Sequence, residues 1–504
     1  MLKKKILLWI DYSFLHFGIA NYFSKLNYDL FGIVDSEESI NNFLQNQKIV
    51  SFSKLWYLYE NLSPSQPDMA YLKIIEEKYQ INLWSIIYTD RYFYNKFNPF
   101  YKFEYNEILS LIEQECKLFE KILSESEPDF ILTNTITHHY QYLFYKICKS
   151  KGIPLLTLEP LRFANKWMIT NGPMYDDLDI SNFNKSKSVQ LSNNDINKLS
   201  TSSGKIYLKN KLIKTEISKS KKFSAIFNFI FNKKNIESTK RFSSYGRTRK
   251  NIILKGSASL FKIKRKYRES FINKNCSKTI PDYPFVYFPL HLEPERVLLM
   301  GAPYIIDQIS IITSIAKSLP IGLKLIVKEH PNMNTQGWRT NSYYKQIIDL
   351  PNVELLHPTI PSENLIEKCN LVITIRGTSS LEAIKFGKPS IVFKADIGYS
   401  LLPSVHILQN IEELPTAIIK SLKKNTNSLE LNKYLEFSEV NAFEADLGYY
   451  SQNIANIFNY SIGYMNKKSV TDSEIESFLV DHQNLFEKLG KFFDTRIHDY
   501  SNNN

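Results

Sequence analysis

A turn of small residues in the carboxyl-terminal half of the chain is suited to binding an anion. It follows an apolar stretch at 371–375 and consists of Gly377, Thr378, Ser379 and Ser380. Glycine lets the backbone approach a ligand closely, and the free N–H groups at the start of a helix favour a phosphate or diphosphate. Glu382, one turn into the predicted helix, is placed to accept hydrogen bonds from a ribose diol. The alternative is a capping box between Thr378 or Ser379 and Glu382, which requires no ligand.

A second loop of the same half carries basic groups that suit a phosphate. Lys328 and His330 follow the predicted strand at 323–327, and Pro331 restricts the backbone next to the imidazole. Arg339 comes shortly afterwards. These residue types together predict a clamp on a phosphate.

A third loop, after the predicted strand at 285–288, adds His291 and Glu295 as candidate ligand-binding residues. The carboxyl ends of parallel strands meet at one edge of a sheet, where ligands bind in open α/β folds. We therefore expect the three loops to converge on one nucleotide-binding site.

The elements that position these loops alternate between strand and helix, which is typical of a doubly wound α/β lobe. The predicted lobe covers 281–425, and its further strands are expected at 353–356 and 390–393. Its helices are expected at 304–318, 342–349, 363–368 and 381–386.

The amino-terminal residues 1–170 show the same alternation and predict a second lobe of this class. Strands are expected at 6–10, 28–34, 83–88, 129–133 and 153–158, with a helix at 139–150. Polar residues follow several of these strands. They are Asp11, Asp90, His138, Glu159 and Arg162.

The two lobes are separated by a basic segment at 171–280 and followed by a helical segment at 426–504. The net charge of the 504 residues is +12, but residues 205–275 alone carry +18, which leaves −6 for the rest. A DNA base composition rich in A and T raises the lysine content, yet it does not explain the scarcity of acidic residues here. The segment therefore predicts a basic surface that faces an anionic partner.

Residues 221–234 strengthen this prediction because, as a helix, they place phenylalanines opposite a narrow polar stripe between flanking lysines. Such a helix suits an anionic membrane surface. Burial between the lobes explains the pattern equally well. Nucleic acid is the less probable partner, since the phosphate-binding turn lies outside the basic segment.

Other features exclude several classes of protein. No two glycines are two residues apart, which excludes the dinucleotide-binding fingerprint. The four cysteines are far apart, which predicts free thiols in a reducing compartment and no structural zinc. The apolar run at 6–10 is too short for a signal peptide. We therefore expect a cytoplasmic protein, peripheral to the inner face of the cell membrane.

The carboxyl-terminal loops resemble the bacterial capsule and surface polysaccharide biosynthesis proteins, which include glycosyltransferases for CMP-activated 3-deoxy-octulosonic acid (Kdo). The resemblance covers about residues 284–400. Its motifs are Val286-Tyr-Phe-Pro-Leu-His291, Val327-Lys-Glu-His-Pro331, Thr374-Ile-Arg-Gly-Thr378, Glu382-Ala and Gly387-Lys-Pro389. The resemblance implies a GT-B fold, in which the carboxyl lobe holds the activated sugar and the amino lobe the acceptor. It also implies that His330 and residues 377–380 contact the donor phosphate and that Glu382 lies near the nucleoside.

Glycosyl transfer requires a stabilised leaving phosphate and a base for the acceptor proton. We expect no cofactor and no metal, because GT-B enzymes generally use helix starts and basic side chains for the phosphate. Glu159 is the first candidate for the base and His138 the second. Asp11 and Arg162 are expected on the acceptor side.

Three alternatives remain at this stage. A nucleotide-sugar epimerase has the same fold and a similar phosphate turn but uses no acceptor. A CDP-polyol phosphotransferase of the teichoic-acid type also has a basic, membrane-facing surface. The non-enzymatic alternative is a basic scaffold that binds a membrane or a nucleic acid.

Overall fold

The computed structural model of the protein describes residues 3–36, 38–59, 65–161, 166–175, 242, 245–247, 251, 258–395, 400, 402–424, 426, 430–458 and 470–503. In this part of the chain, two α/β lobes are each built around a largely parallel sheet. The predicted helix at 221–234 and the candidate residue Arg162 lie outside the described residues.

The sheet of the amino lobe has the order β6-β5-β4-β1-β2-β3, and only β6 runs antiparallel to its neighbour. The strands at the four positions 6–10, 28–34, 129–133 and 153–158 are confirmed. Strands β1 and β2 pair in register, so that Asp11 lies opposite Asp35 at the edge where both strands end. The six strands are β1 (Lys4–Asp11), β2 (Tyr28–Asp35), β3 (Lys54–Tyr57), β4 (Phe130–Thr133), β5 (Leu155–Pro160) and β6 (Lys166–Asn171).

Helices cover both faces of this sheet. Their apolar faces pack against Leu7, Trp9 and Ile33 on one side and against Ile6, Leu8 and Ile10 on the other. The helices are α1 (Leu15–Phe23), α2 (Glu38–Asn46), α3 (Met69–Tyr79), α4 (Leu83–Ile87), α5 (Tyr105–Ser126) and α6 (His139–Ser150).

The strand predicted at 83–88 is wrong, because these residues form helix α4. The side chain of Asn82 accepts a hydrogen bond from the Ser85 N–H and so caps the helix, and the buried residues Leu83, Ile86 and Ile87 have helical spacing. The third parallel strand is instead β3, a four-residue edge strand.

The sheet of the carboxyl lobe is parallel throughout, in the order β12-β11-β10-β7-β8-β9. The strands are β7 (Phe285–Pro289), β8 (Lys324–Lys328), β9 (Val353–Leu356), β10 (Leu371–Thr374), β11 (Ser390–Val392) and β12 (Val405–Ile407). The helices are α7 (Ala258–Asn275), α8 (Arg296–Leu299), α9 (Gln308–Ser318), α10 (Asn341–Ile348), α11 (Ser362–Lys368), α12 (Ser379–Lys385) and α13 (Leu414–Leu422). Each predicted strand of this lobe is found, and the helix predicted at 304–318 begins at Gln308, capped by Asp307.

The carboxyl-terminal residues return to the amino lobe. Strand β13 extends the first sheet beyond β6, and helix α17 packs on α1. The helices approach closely because Gly18 faces the Phe486 ring and Gly490 faces the Tyr22 ring. The elements are α14 (Glu430–Asn441), β13 (Phe443–Glu444), α15 (Leu447–Ile457), α16 (Asp472–Asp481) and α17 (Gln483–Asn503).

The lobes contact each other through the edges where their parallel strands end. Arg296, the first residue of α8, donates to the carbonyl oxygen of Ile136 and to the carboxylate of Glu159 in the amino lobe. Lys96 of the amino lobe pairs with Glu293 at 2.9 Å. Because both ligand-binding edges meet at one interface, the predicted two-lobed GT-B fold is confirmed.

An apolar cluster completes this interface. It combines Leu161 and Met168 of the amino lobe with residues of the carboxyl lobe and of α14, among them Leu381, Ile384 and Tyr434. Arg376 adds a polar contact, since its guanidinium donates to the carbonyl oxygen of Met174 at 2.9 Å. Among the described helices, none has both the length and the apolar composition needed to cross a membrane.

Candidate active site

The Gly377 turn and His291 lie side by side at the edge of the carboxyl-lobe sheet. Strands β10 and β7 are neighbours, and the Nε2 atom of His291 is 3.1 Å from the Thr374 hydroxyl. A Cβ atom on Gly377 would lie 2.5 Å from that hydroxyl and 3.3 Å from the His291 ring. Only glycine therefore fits this turn without displacing the residues around it.

The capping-box interpretation of this turn is wrong. Thr378 is the N-cap of α12, but its side chain caps no N–H group, and the Glu382 N–H donates to the backbone oxygen of Thr378. The Ser380 hydroxyl donates to the Gly377 carbonyl at 2.8 Å. The Ser379 hydroxyl is buried and has no hydrogen-bond partner among the described residues. Burying an unpaired hydroxyl is unfavourable, and a ligand at the turn would remove that cost.

Lys328 ends strand β8, on the other side of β7 from the turn. Its side chain is only 3% exposed and makes no hydrogen bond or ion pair with the described part of the chain. Burial lowers the pKa of its ammonium group to about 8, although Glu329 and Glu382 favour the charged form. A buried cation of this kind is stabilised by an anionic ligand.

His330 lies next to Lys328 and begins a short 3₁₀ helix at Pro331–Gln336. Its Nδ1 atom accepts a hydrogen bond from the Asn332 N–H at 3.2 Å. Burial, with the nearby charges of Lys328 and Arg339, lowers the pKa of His330 to about 4. The ring is therefore neutral at pH 7, and its Nε2–H is the group left to donate to a ligand.

Arg339 does not belong to the predicted phosphate clamp. Its Nε atom lies 2.8 Å from Glu329, and another guanidinium nitrogen lies 2.9 Å from Glu293. Both carboxylates are buried, so the guanidinium is fully used in holding the loops after β7 and β8 together. Glu295 is the N-cap residue of α8, but its side chain accepts no capping hydrogen bond.

The amino lobe has a cavity of about 400 Å³ where β1, β2 and β4 end. Asp11, Asn134 and His138 contribute polar groups, and the last wall comes from α15. The aromatic residues of the lining are Tyr12, Tyr59, Tyr92, Tyr140, Trp167, Phe242 and Tyr450. The cavity thus combines aromatic rings with many polar and charged side chains, a lining that suits a polar small molecule such as a sugar.

His138 and Asp90 form a pair at this cavity. The Nδ1 atom of His138 lies 3.0 Å from Oδ2 of Asp90, and the imidazole stacks on Tyr140. Asp90 is buried, and burial alone would raise the pKa of its carboxyl group. His138 and His139 beside it have the larger effect and hold that pKa well below its usual value. Since Asp90 engages Nδ1, the Nε2 atom of His138 is left to exchange a proton.

Glu159 and Asp11 are placed differently from each other. Glu159 is fully buried, pairs with Arg296 and is not part of the cavity lining. This placement does not fit a base that must reach an acceptor hydroxyl. Asp11 lines the cavity. Burial and the nearby charge of Asp35 raise the pKa of Asp11, although hydrogen bonds from Ser13 and Asn134 act in the opposite direction.

The basic segment is described at α7 and at a few residues before it. Helix α7 is anchored on the carboxyl lobe by Arg268, which donates to the carbonyl oxygens of Gly337 and Trp338. Ile263 and Tyr267, one turn apart, are 64% and 70% exposed. Lys262, Lys264 and Lys266 surround them, so the outer face of α7 is both basic and apolar.

Part of the sequence matches that of known proteins. Residues 208–398, which include the Gly377 turn and part of the basic segment, match one family model. It describes capsule polysaccharide biosynthesis proteins. The resemblance found in the sequence is therefore confirmed over this segment. No curated protein sequence matches the chain.

Several solved structures are similar at low identity. S. aureus MnaA with UDP is 13% identical over 93% of this chain and 100% of that chain, with a TM-score of 0.23. UDP-GlcNAc 2-epimerase from Methanocaldococcus jannaschii is 13% identical over 87% and 99%, with a TM-score of 0.25. The β Kdo 2,7 transferase KpsC from Thermosulfurimonas dismutans is 12% identical over 63% and 79%, with a TM-score of 0.29. At these TM-scores, the likenesses add nothing to the fold derived above from the strand order.

Proposed function

We propose that this protein is a glycosyltransferase that moves a sugar from a nucleotide-activated donor to a saccharide or lipid-linked acceptor. The observation that carries the proposal is the buried, unpaired ammonium group of Lys328 at the edge that also holds the Gly377 turn. A phosphate there would neutralise the cation and give the Ser379 hydroxyl a partner. The family match supports a role in polysaccharide synthesis.

The carboxyl lobe holds the donor in this proposal. Lys328, the Nε2–H of His330 and the N–H groups of the Gly377 turn receive the leaving phosphate, and Glu382 lies toward the nucleoside. The bond from the anomeric carbon to the phosphate oxygen breaks, and its electron pair leaves with the nucleotide. Lys328 supplies the positive charge that this step needs, so the transfer is proposed to require no metal. A CMP-activated sugar of the Kdo type is the favoured donor because of the resemblance.

The amino lobe holds the acceptor in its aromatic cavity. His138 takes the proton from the acceptor hydroxyl as that oxygen forms the new bond to the anomeric carbon. Asp90 fixes the ring so that Nε2 is the accepting atom. His138 replaces Glu159 as the first candidate, because Glu159 is buried outside the cavity lining and its Oε2 atom pairs with Arg296.

Helix α7 is proposed to bring the enzyme to an anionic membrane on the cytoplasmic side. Its lysines would contact lipid headgroups while Ile263 and Tyr267 enter the interface. Vesicles with and without anionic lipid test this. We expect co-sedimentation with anionic vesicles only, and at least a tenfold loss for the double variant Ile263→Ser, Tyr267→Ser.

Transfer itself is tested with radiolabelled CMP-, CDP-, UDP- and GDP-sugars and an acceptor glycan. We expect label in the glycan from one donor class, and a rate of labelling at least about a hundredfold lower with His138→Gln. Isomerised sugar from the donor alone would favour the epimerase. Retention of the nucleotide's β-phosphate in the product would favour the polyol phosphotransferase.

A further inference from the structure

A chain of buried ionisable groups extends from the His138–Asp90 pair into the core of the amino lobe. Oδ2 of Asp90 receives a second imidazole, since Nδ1 of His139 lies 3.1 Å away. The other ring nitrogen of His139, Nε2, lies 3.1 Å from Oε1 of Glu115 on helix α5. His139, Asp90 and Glu115 are all almost completely buried.

Both nitrogens of His139 therefore face carboxylate oxygens. A neutral imidazole has one N–H and can satisfy one of the two oxygens, whereas an imidazolium satisfies both. Although burial opposes the charge, Glu115 and Asp90 raise the pKa of His139 to about 9. A cation thus stands in the core beside His138, with Asp90 shared between the two rings.

We propose that Glu115 and His139 are positioning residues that set the basicity of His138 through the shared carboxylate of Asp90. The inference rests on the proposed role of His138 as base. His139 in its charged form neutralises much of the Asp90 charge. Asp90 then presents less negative charge to His138, while its contact with Nδ1 still orients the ring so that Nε2 faces the cavity as the base.

Among the described residues, few other charged groups lie close enough to Asp90 and His139 to change the basicity of His138. Asp35 on β2 faces Tyr140 and raises the pKa of Glu115 in addition to burial and Asp90. Arg91 and Tyr92 follow Asp90 and line the cavity, as does Asp11 on β1. Phe93 and Phe242 pack against the His139 ring and keep water from it.

Histidine ring resonances in the full-length protein test the proposal without any substrate. In the wild-type protein, we expect both ring nitrogens of His139 to carry protons at pH 7.5. A neutral His139 at that pH would overturn the proposal, and this measurement does not depend on how any variant folds.

The variant Glu115→Gln removes the carboxylate that holds the second proton on His139. We expect the titration midpoint of the His138 ring to rise by about one pH unit, because a neighbouring positive charge is lost. The acid limb of kcat/KM should move by the same amount. The matched control is Glu113→Gln, which neutralises a buried carboxylate on the same helix that pairs with Lys117 instead. It should leave both values unchanged.

The two measurements separate the two claims. A folded Glu115→Gln protein with an unchanged His138 midpoint overturns the positioning role. A shifted midpoint with an unmoved acid limb supports the positioning role and overturns the assignment of His138 as base.

Discussion

Arg296 of the carboxyl lobe donates to the carboxylate of Glu159 on the amino lobe, and the same guanidinium holds the carbonyl oxygen of Ile136. One side chain therefore joins the two sheet edges that carry the candidate donor and acceptor residues. His138 is two residues beyond Ile136 in the same loop. The ion pair fixes the position of this loop relative to the carboxyl lobe.

The variants Glu159→Gln and His138→Gln separate a role in docking from a role in proton transfer. His138→Gln should lower kcat/KM by about 10²- to 10⁴-fold, which is the usual contribution of a general base to the rate. Glu159→Gln should lower thermal stability and change kcat/KM less than tenfold, with its acid limb in place. A loss of the acid limb in Glu159→Gln would return the base assignment to Glu159.

Donor affinity should depend on the charge of Lys328. The pKa of this group in the free protein is about 8, so the cation is present below that pH and lost above it. CMP binding should therefore weaken as the pH rises from 7 to 9, by up to about tenfold per unit above the pKa. Calorimetric titration at several pH values measures this. Affinity that is constant across the range would contradict a contact between Lys328 and phosphate.

Ser379→Ala should affect the free and the ligand-bound protein differently. The hydroxyl is buried without a partner, so its removal should leave the stability of the free protein unchanged or slightly higher. CMP affinity should fall about two- to tenfold, the typical effect of one lost hydrogen bond. Melting curves without CMP measure the stability of the free protein, and the shift caused by CMP reports its affinity. Equal melting shifts in the variant and the wild type would show that the hydroxyl does not meet the ligand.

Gly490→Ala should weaken the packing of the last helix on the amino lobe. A Cβ at this position would lie 2.2 Å from the Cδ1 atom of the Tyr22 ring. Overpacking of this kind costs about 1–3 kcal/mol of the free energy of unfolding. Urea denaturation measures the loss, with the neighbouring exposed substitution Lys491→Ala as the control. A wild-type midpoint in Gly490→Ala would show that α17 adjusts without cost.

The strands of the carboxyl lobe could be predicted because each is an apolar run followed by a distinct polar loop. The strands of the amino lobe were harder to predict from the sequence. Residues 83–88 have the apolar content of a strand, and only the cap at Asn82 identifies them as a helix. Strand β3 is short and half-exposed at an edge, so its sequence gives little alternation.

The site was predicted unevenly for a similar reason. The Gly377 turn, Lys328 and His330 each belong to a local motif, and the parallel order of β10, β7 and β8 brings those motifs to one edge. The pairing of His138 with Asp90 joins residues 48 positions apart, and that of Glu159 with Arg296 joins residues 137 apart. Contacts between residues so far apart in the sequence depend on tertiary packing. The spacing of residues in the sequence therefore could not show whether Glu159 or His138 is the better candidate for the base.

In the proposed enzyme, Lys328 and the Gly377 turn hold the phosphate of the donor while His138 acts from the facing lobe. The most direct measurement is the affinity of CMP for the wild type, Lys328→Met and His138→Gln, with Lys324→Met at the exposed start of the same strand as control. We expect at least a tenfold loss of affinity in Lys328→Met and wild-type affinity in His138→Gln and Lys324→Met. Wild-type affinity in Lys328→Met would contradict this role of Lys328.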